Sequence, residues 1–538
     1  MKILIAITVL ATVLATSVMA ETIEYKPLPE NILTKEKVKS KIGTLSIPNG
    51  YPTASTAKMV QEEVFYAQAI QTYLYTLNAV SVWKISKGLE EAGVEENQFI
   101  TFPNMMDGKH LFLTANMDTY YYIGFINLEN GPVVVETPPD ALGVIDDLWF
   151  RWVSDFGLPG SDRGEGGRYL IVPEGYDGPL PDGGFYVRYA RTNKVIVLGR
   201  SFLEDNSPKK AIKEAEESLA IYPYIPGGQG TSIGDYLNGK AKIGALSKRV
   251  PAKIVDGTDI PLNTVPPVNF EHFELLNELI QSDRVDAVDP EVGGLCAAIG
   301  IKKGRKFKPT ERQKELLQKA VDVANAYART GGTGALPGRG FEYYEEGSGW
   351  WNPLFAGGYT WTQSPPEIAK SGDIIPNEYT SAIDLEARST FFYMATGISP
   401  AMCMRLTGIG SQYLMNNTDS KGKALDGGKV YKVTLPKDVP AERFWSLTVY
   451  GMHSRSIIQT DQKYPRVGSQ SFPSPAAVPN EDGSYTIYYG PTKPADAAES
   501  NWIQTNKGDG WFQILRCYSP TKGFFDKSWR IGEVELIK

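Results

Sequence analysis

The chain has 538 residues and a formal net charge of −7. Its length suits roughly three or four domains of about 150 residues each, with enough apolar sequence to build their cores. Because the chain is mildly acidic and has no clustered run of Lys or Arg, we exclude nucleic acid and anionic membrane surfaces as partners. Three cysteines spaced more than a hundred residues apart exclude a small disulfide-stapled scaffold. One long-range disulfide and three buried free thiols both stay open.

The first twenty residues are typical of a secretory signal peptide. Lys2 supplies a positive charge, residues 3–13 form an apolar run, and Ala20 precedes the polar Glu21. The apolar run is shorter than an anchored membrane-spanning helix needs, so we expect cleavage after Ala20. The sequence therefore predicts a periplasmic or secreted protein with no membrane span once residues 1–20 are removed.

The composition favours a mixed α+β fold, because 53 Gly, 36 Pro and 29 Tyr suit short strands joined by tight turns. The first strong element is a helix over residues 56–86, where apolar side chains recur at helical spacing. Short alternating runs from Phe99 to about Arg200 then predict a β domain. Its predicted strands are residues 111–114, 120–128, 132–136, 168–172, 184–189 and 194–199.

Helices return between residues 205 and 330. Ser207-Pro208 precedes a predicted helix over residues 209–220, and Asn269 can cap another over residues 270–281. Thr310 and Gln313 have the spacing of a capping box before a helix over residues 316–328. Residues 221–268 are rich in Gly and Pro and are interpreted as a connecting segment.

Strands are predicted to dominate from Gly340 to the C-terminus. In residues 445–450, Trp445, Leu447 and Val449 alternate with polar or amphipathic side chains. We expect the first three to face a core and the opposite face of the strand to be available. Further predicted strands are residues 429–435, 484–489 and 511–518. Several short strands at such spacing are typical of a sandwich or jelly roll.

Sequence motifs in both β regions resemble two bacterial domains of unknown function. The motifs FWSLTVY at 444–450, YYGP at 488–491, SNW at 500–502 and FFDKSW at 524–529 resemble the domain DUF1214. Upstream, NMDTY at 116–120, GPVVV at 131–135 and GGRY at 166–169 resemble DUF1254, which precedes DUF1214 in the same family. The resemblance implies an immunoglobulin-like sandwich, a helical portion and a jelly-roll-like sandwich. It implies no established activity.

The predicted fold class is therefore α+β, with two β-sandwiches and a helical region between and before them. We divide the chain into a signal peptide at 1–20, a segment with a long helix at 21–95 and a DUF1254-like sandwich at 96–204. A helical domain with its Gly/Pro-rich connection follows at 205–338, and a DUF1214-like jelly-roll sandwich at 339–538.

Neither a metal site nor a cofactor is predicted. His110, His272 and His453 form no local zinc or copper signature, and the acidic residues have no EF-hand spacing. There is no G-x-S-x-G elbow for a nucleophilic serine. Cys403 has apolar neighbours, which favour a buried thiol over a nucleophile.

Polar residues interleaved with aromatic residues remain as candidates for binding. The candidate residues are Asn116, Asp118, Tyr120, Arg388, Tyr450, His453, Arg455 and Asp461. Carboxylates, guanidinium groups and aromatic faces can together recognise sugars or small molecules. The same residue types can equally form a buried ion pair that joins two sandwiches.

Three kinds of function stay open at this stage. The favoured one is an exported envelope protein that binds a glycan or small molecule on its sandwich faces or in an inter-domain cleft. The second is a hydrolase whose acid and base come from both β domains, for example Asp118 or Asp461 with His453. The third is a structural protein that assembles through sandwich edges, which would make it a homo-oligomer.

Overall fold

The structure is a computed structural model that describes residues 25–226, 233–239, 248–330, 341–345, 347–368, 374–377 and 379–537. The predicted signal peptide, residues 1–20, lies outside these residues. The chain divides into two compact units at Val64 and Phe65. In the first unit, strand β1 (Lys37–Ser40) pairs antiparallel with β2 (Gly43–Ser46). Helix α1 spans Ala54–Glu91, which confirms the predicted long helix.

The second unit begins with a β domain, called here the first β domain. Its elements are β3 (Gln98–Thr101), β4 (His110–Leu111), β5 (Tyr120–Asn127), β6 (Val133–Thr137), β7 (Ala141–Asp147), β8 (Trp152–Gly157), β9 (Gly167–Pro173), β10 (Tyr186–Ala190), β11 (Lys194–Ser201), α2 (Lys209–Ser218), β12 (Ala220–Pro223), α3 (Ile233–Leu237), β13 (Lys253–Asp256) and β14 (Leu262–Asn263). They form a six-stranded sheet, β13-β3-β5-β11-β7-β8, and a four-stranded sheet, β10-β9-β6-β12.

The alternation of β11 assigns the two faces of the six-stranded sheet. Val195 and Val197 lie in a core shared with Val135 and Tyr169 of the four-stranded sheet. Ile196 packs into a different core, which also contains side chains of α1 and of the C-terminal β region. Because side chains alternate along a strand, Leu198 and Arg200 lie on the same side of the sheet as Ile196.

Three helices follow the first β domain: α4 (Glu271–Ser282), α5 (Pro290–Ala298) and α6 (Glu311–Thr330). The predicted capping box is confirmed, because the Gln313 amide donates to Thr310 Oγ1 at 3.2 Å and the Thr310 amide to Gln313 Oε1 at 2.9 Å. The predicted helix end at residue 220 is wrong. Leu219 is extended, and Ala220 instead pairs with Glu136 as the first residue of β12.

The remaining elements form the second β domain. They are β15 (Trp350–Trp351), α7 (Leu354–Gly357), β16 (Glu367–Ile368), β17 (Ile374–Ile375), α8 (Leu385–Met394), α9 (Pro400–Cys403), β18 (Ser411–Asn416), β19 (Tyr431–Leu435), β20 (Ala441–Gly451), β21 (Arg466–Gly468), β22 (Tyr485–Gly490), β23 (Trp502–Gln504), β24 (Trp511–Pro520), α10 (Lys522–Phe525) and β25 (Glu535–Leu536). The main sheets are β15-β18-β24-β20-β21 and β23-β22-β19-β25. The α+β class is thus confirmed.

Helix α8 was not predicted, because strands were expected to dominate the C-terminal region. The Asp384 carboxylate caps it by accepting the Ala387 amide at 2.9 Å. Every residue from Ala387 to Met394 is buried. A helix buried on all sides has no polar stripe, so the periodicity that identifies surface helices is missing from its sequence.

The face of β20 opposite its core was expected to be available, and this expectation is wrong. Leu447 and Val449 face the core of the second β domain as predicted. Ser446 and Tyr450 are each 0% exposed, because the first β domain covers them. The Tyr450 hydroxyl donates to the Ala115 carbonyl at 2.6 Å. The polar face of β20 is therefore an inter-domain contact.

The cysteines and histidines take mainly structural positions. Cys296, Cys403 and Cys517 are buried free thiols, so the disulfide alternative is wrong. His272 is buried against Thr76, at 3.0 Å from its Nε2, and burial lowers the pKa of His272 to about 3.

No described helix combines the length and apolar character that a membrane crossing requires.

Candidate functional site

A cavity of about 110 Å³ lies between the facing sheets of the two β domains. One wall comes from the six-stranded sheet of the first β domain and the other from β18 and β24 of the second; the α8–α9 segment closes a side. Its principal lining residues are Tyr121, Leu142, Val144, Asp155, Leu198, Arg200, Leu354, Phe391, Ser399, Ala401, Ser411, Tyr413, Met415, Ile514 and Arg516. A single water molecule needs a cavity volume of roughly 10–15 Å³, so this cavity has room for a small organic molecule.

Strand register explains why these side chains converge. In the first β domain, Arg200 pairs with Leu142 on one side and with Tyr121 on the other. In the second, Tyr413 pairs with Arg516. Paired residues share a sheet face, so each domain contributes one arginine and one tyrosine to the same cavity.

Arg200 joins the two walls through hydrogen bonds. Its Nη2 donates to Ser411 Oγ at 2.8 Å and to the Tyr413 hydroxyl at 2.7 Å. The hydroxyls of Ser411 and Tyr413 are also hydrogen-bonded to each other. A cation, a phenol and an alcohol therefore form one connected polar group within an otherwise largely apolar lining.

Arg516 approaches the same group from the second β domain and is 3% exposed. Its Nη2 donates to the Thr114 carbonyl at 2.5 Å, whereas its Nε and Nη1 have no hydrogen-bond partner. Its guanidinium carbon is 5.9 Å from the Tyr413 ring centre and 5.5 Å from that of Tyr450. Among the described residues, no carboxylate forms an ion pair with Arg200 or Arg516.

The two cations set the electrostatics of Tyr413. Burial alone would raise the pKa of this phenol, but Arg200, the Ser411 hydrogen bond and Arg516 outweigh it and lower the pKa. Burial alone would lower the pKa values of both arginines. The surrounding tyrosine oxygens outweigh this effect and raise the pKa values instead. Both arginines therefore stay charged, and this end of the cavity is cationic.

Asp155 lies towards the opposite end of the cavity. Asp155 on β8 pairs with Val144 on β7, and Val144 pairs with Leu198 on β11. Arg200 is two residues beyond Leu198, so it lies two strand spacings away from Asp155 across the sheet. With a two-residue offset, that geometry places the Asp155 and Arg200 α-carbons roughly 12 Å apart. Burial raises the pKa of Asp155 to about 7, although hydrogen bonds from Ser399 and the Ala401 amide partly oppose the shift. Asp155 is the single carboxylate lining the described part of the cavity.

None of the eight residues predicted from sequence lines this cavity, but three of them support it. Asn116 donates from Nδ2 to the hydroxyl of the cavity residue Tyr121 at 2.8 Å. Tyr450 lies beneath Arg516. Asp118 forms an ion pair with Arg466 at 2.7 Å, and both side chains are 0% exposed. This pair joins the first and second β domains, which matches the structural interpretation of Asp118.

The other five predicted residues lie elsewhere. Tyr120 is buried in the core of the first β domain. Arg388 donates to the Tyr75 carbonyl at 2.5 Å, and Arg455 donates from Nε to the Tyr393 carbonyl at 3.1 Å. Their pKa values are lowered by burial. His453 and Asp461 are exposed. In the described residues, no hydrogen bond or ion pair joins the side chain of His453 to that of Asp118 or Asp461.

Across the described ranges, no group of three His, Cys, Asp or Glu residues is arranged to hold an ion. His110 is buried, accepts the Asp107 amide at Nδ1 at 2.9 Å and contacts the Gly257 carbonyl through Nε2 at 3.0 Å. Its two ring nitrogens therefore serve the fold.

Sequence reasoning missed the residues that define the cavity: Arg200, Tyr413 and Arg516. One signal was present, because Arg200 and Arg516 are charged residues within largely apolar strands. Alternation places Arg200 on the same face as the apolar Ile196 and Leu198. A charge there is unfavourable unless it is paired or hydrogen-bonded. Which face meets which partner sheet could not be derived from the strands themselves.

Comparison with known proteins agrees with this two-domain arrangement. Residues 96–223 match a family described as a protein of unknown function, DUF1254, and residues 410–522 match another such family, DUF1214. No curated protein matches the chain.

Two solved structures match most of the chain. The VPA0106 protein from Vibrio parahaemolyticus is 17% identical, with 88% of this chain and 100% of that chain covered, at a TM-score of 0.47. An uncharacterized protein from Burkholderia cenocepacia is 11% identical, with 89% and 95% covered, at a TM-score of 0.34. The chain therefore contains a DUF1254 match followed by a DUF1214 match, in the order that its sequence motifs predict.

Proposed function

We propose that the protein is a small-molecule-binding protein whose ligand occupies the cavity between its two β domains. The observation that carries this proposal is the cavity itself, a largely apolar space in which a few polar side chains converge. Ligand sites are typically concave and apolar, with a small number of placed polar groups that fix orientation. Inter-domain interfaces are a preferred location for them.

The hydrolase alternative has less support. Of its suggested residues, Asp118 is bound by Arg466 and Ser446, and Asp461 and His453 are exposed. A glycosidase needs two carboxyl groups facing each other across the substrate. Among the described lining residues Asp155 stands alone, so this geometry favours binding of a small molecule over cleavage of a glycan.

We also propose that the protein acts after export, in the periplasm or outside the cell. The support is the sequence of residues 1–20, with its charge, apolar run and small terminal residue. N-terminal sequencing of the protein from its own cells tests this, and we expect it to begin at Glu21. An intact Met1 would contradict it.

The sandwich architecture is likewise a proposal. Each β domain has two sheets that share one core, which supports an immunoglobulin-like first domain and a jelly-roll-like second domain. Both domains also contain parallel pairs, β9 with β10 and β22 with β23, which depart from a purely antiparallel sandwich.

Mass spectrometry of the full chain, purified without refolding, tests the binding proposal. We expect unfolding to release about one small organic molecule per chain. Val144→Phe fills the cavity and should abolish this release, whereas Val478→Phe, at a position 51% exposed in the second β domain, should not. A wild-type protein that releases nothing and shows no thermal shift with small metabolites would contradict the proposal.

A further inference from the structure

We infer that the cavity selects a small organic acid, whose carboxylate is held by Arg200 and Arg516 and whose apolar body lies along the facing sheets. This inference rests on the proposed binding function and specifies the chemical class of its ligand. It is carried by two cations, the buried Arg516 and the half-buried Arg200, which line one cavity and have no carboxylate partner in the described chain.

Arg516 supplies the first part of the argument. It is more than nine-tenths buried and lines the cavity, yet two of its nitrogens lack partners. A buried charge with unsatisfied donors is strongly unfavourable unless an opposite charge or hydrogen bonds compensate it. An anion in the cavity would supply both.

Arg200 supplies the second part. Arg200 donates to Ser411 and Tyr413, and Arg516 lies 5.9 Å from the Tyr413 ring centre, so a ligand anion beside Tyr413 would be attracted by both cations. Two other buried arginines are arranged differently. Arg466 has the Asp118 carboxylate, and Arg455 donates to two backbone carbonyls. Neither of them lines the cavity.

The rest of the lining specifies the remainder of the ligand. Leu142, Val144, Phe391, Met415 and Ile514 give the cavity apolar walls. A free inorganic anion would leave these walls without contacts, whereas a small aliphatic or aromatic body would bury its surface against them at about 25 cal/mol per Å². A ligand that combines a carboxylate with such a body therefore matches both the cationic part and the apolar walls of the cavity. Arginine also commonly forms paired hydrogen bonds with a carboxylate.

Calorimetric titration with matched acids and amides tests the inference. The probes are hexanoate and benzoate, their neutral counterparts hexanamide and benzamide, and inorganic phosphate. We expect the acids to bind the full-length protein about tenfold or more tightly than the amides, because only the acids form charge-assisted hydrogen bonds. Phosphate should bind more weakly than either acid.

Variants assign the effect to the cavity. Arg200→Gln should remove the preference for acids over amides, whereas Arg200→Lys should retain part of that preference because the charge is kept. Arg443→Gln is the matched control, since Arg443 also crosses between the domains, through Asp140, but lies outside the cavity. It should leave the preference intact.

The outcomes separate this inference from the binding proposal. Equal binding of acids and amides, unaffected by Arg200→Gln, would overturn the inference and leave a neutral-ligand site standing. Phosphate that binds as tightly as the acids would overturn the organic part of the assignment. If none of the five probes binds, the inference falls, whereas the binding proposal is judged by the release of a small molecule from the unfolded chain.

Discussion

The buried ion pair between Asp118 and Arg466 offers the sharpest test of how the two β domains are joined. Arg466 Nε lies 2.7 Å from Asp118 Oδ1, and both side chains are 0% exposed. Ser446 also donates to Asp118 Oδ2 at 2.5 Å. Asp118→Asn keeps the shape of the side chain but leaves the Arg466 charge buried without its counter-ion.

The expected cost follows from that burial. Removing one partner of a buried ion pair typically lowers the free energy of unfolding by about 3–5 kcal/mol. Asp140→Asn is the matched control, because Asp140 pairs with Arg443 across the same two domains at 3.0 Å, with side chains 42% and 36% exposed. An exposed pair contributes about 0–1 kcal/mol.

Urea denaturation followed by tryptophan fluorescence measures both variants. We expect a large loss for Asp118→Asn, a small one for Asp140→Asn, and recovery of most of the loss in Asp118→Asn/Arg466→Met, which removes the unpaired charge. If Asp118→Asn costs no more than Asp140→Asn, the pair does not hold the domains together. A double variant as unstable as the single one would also refute the reasoning.

Three further predictions follow from individual groups. Burial raises the pKa of Asp155 from 3.8 to about 7. The contribution of the protonated Asp155 carboxyl to the free energy of unfolding is therefore full below pH 3.8 and is lost as the pH rises through about 7. Asp155→Asn should remove up to about 4 kcal/mol of this pH dependence in unfolding titrations. Thr310→Ala breaks a capping box and should cost about 1 kcal/mol by thermal denaturation, and an unchanged melting temperature would argue against the cap. Cys296, Cys403 and Cys517 should react with a thiol reagent only after unfolding, because all three are buried, and rapid labelling of the native protein would contradict their placement.

Local patterns in the sequence were enough to predict many of the elements. Helix α1, the Thr310 capping box and the core face of β20 each depend on residues close together in the chain. Their periodicity and capping chemistry act locally and are visible without the fold. The two family assignments were accessible for the same reason, since each depends on short continuous motifs.

The site could not be predicted in the same way, because its residues meet only when two sheets from distant parts of the chain face each other. Arg200 and Tyr413 are separated by 213 positions and are hydrogen-bonded at 2.7 Å. The alternation of β20 correctly separated Leu447 from Ser446, but nothing in that strand indicates that the first β domain covers Ser446. The sequence candidates therefore reached the inter-domain contact and missed the cavity within it.

A crystal structure of the full-length protein with 4-bromobenzoate tests the central claim most directly, because bromine can be located by its anomalous scattering. The account predicts one bromine peak within the cavity between the β domains, with the carboxylate in hydrogen-bond contact with Arg200 and Arg516. An empty cavity at saturating ligand, or a carboxylate directed away from both arginines, would contradict it.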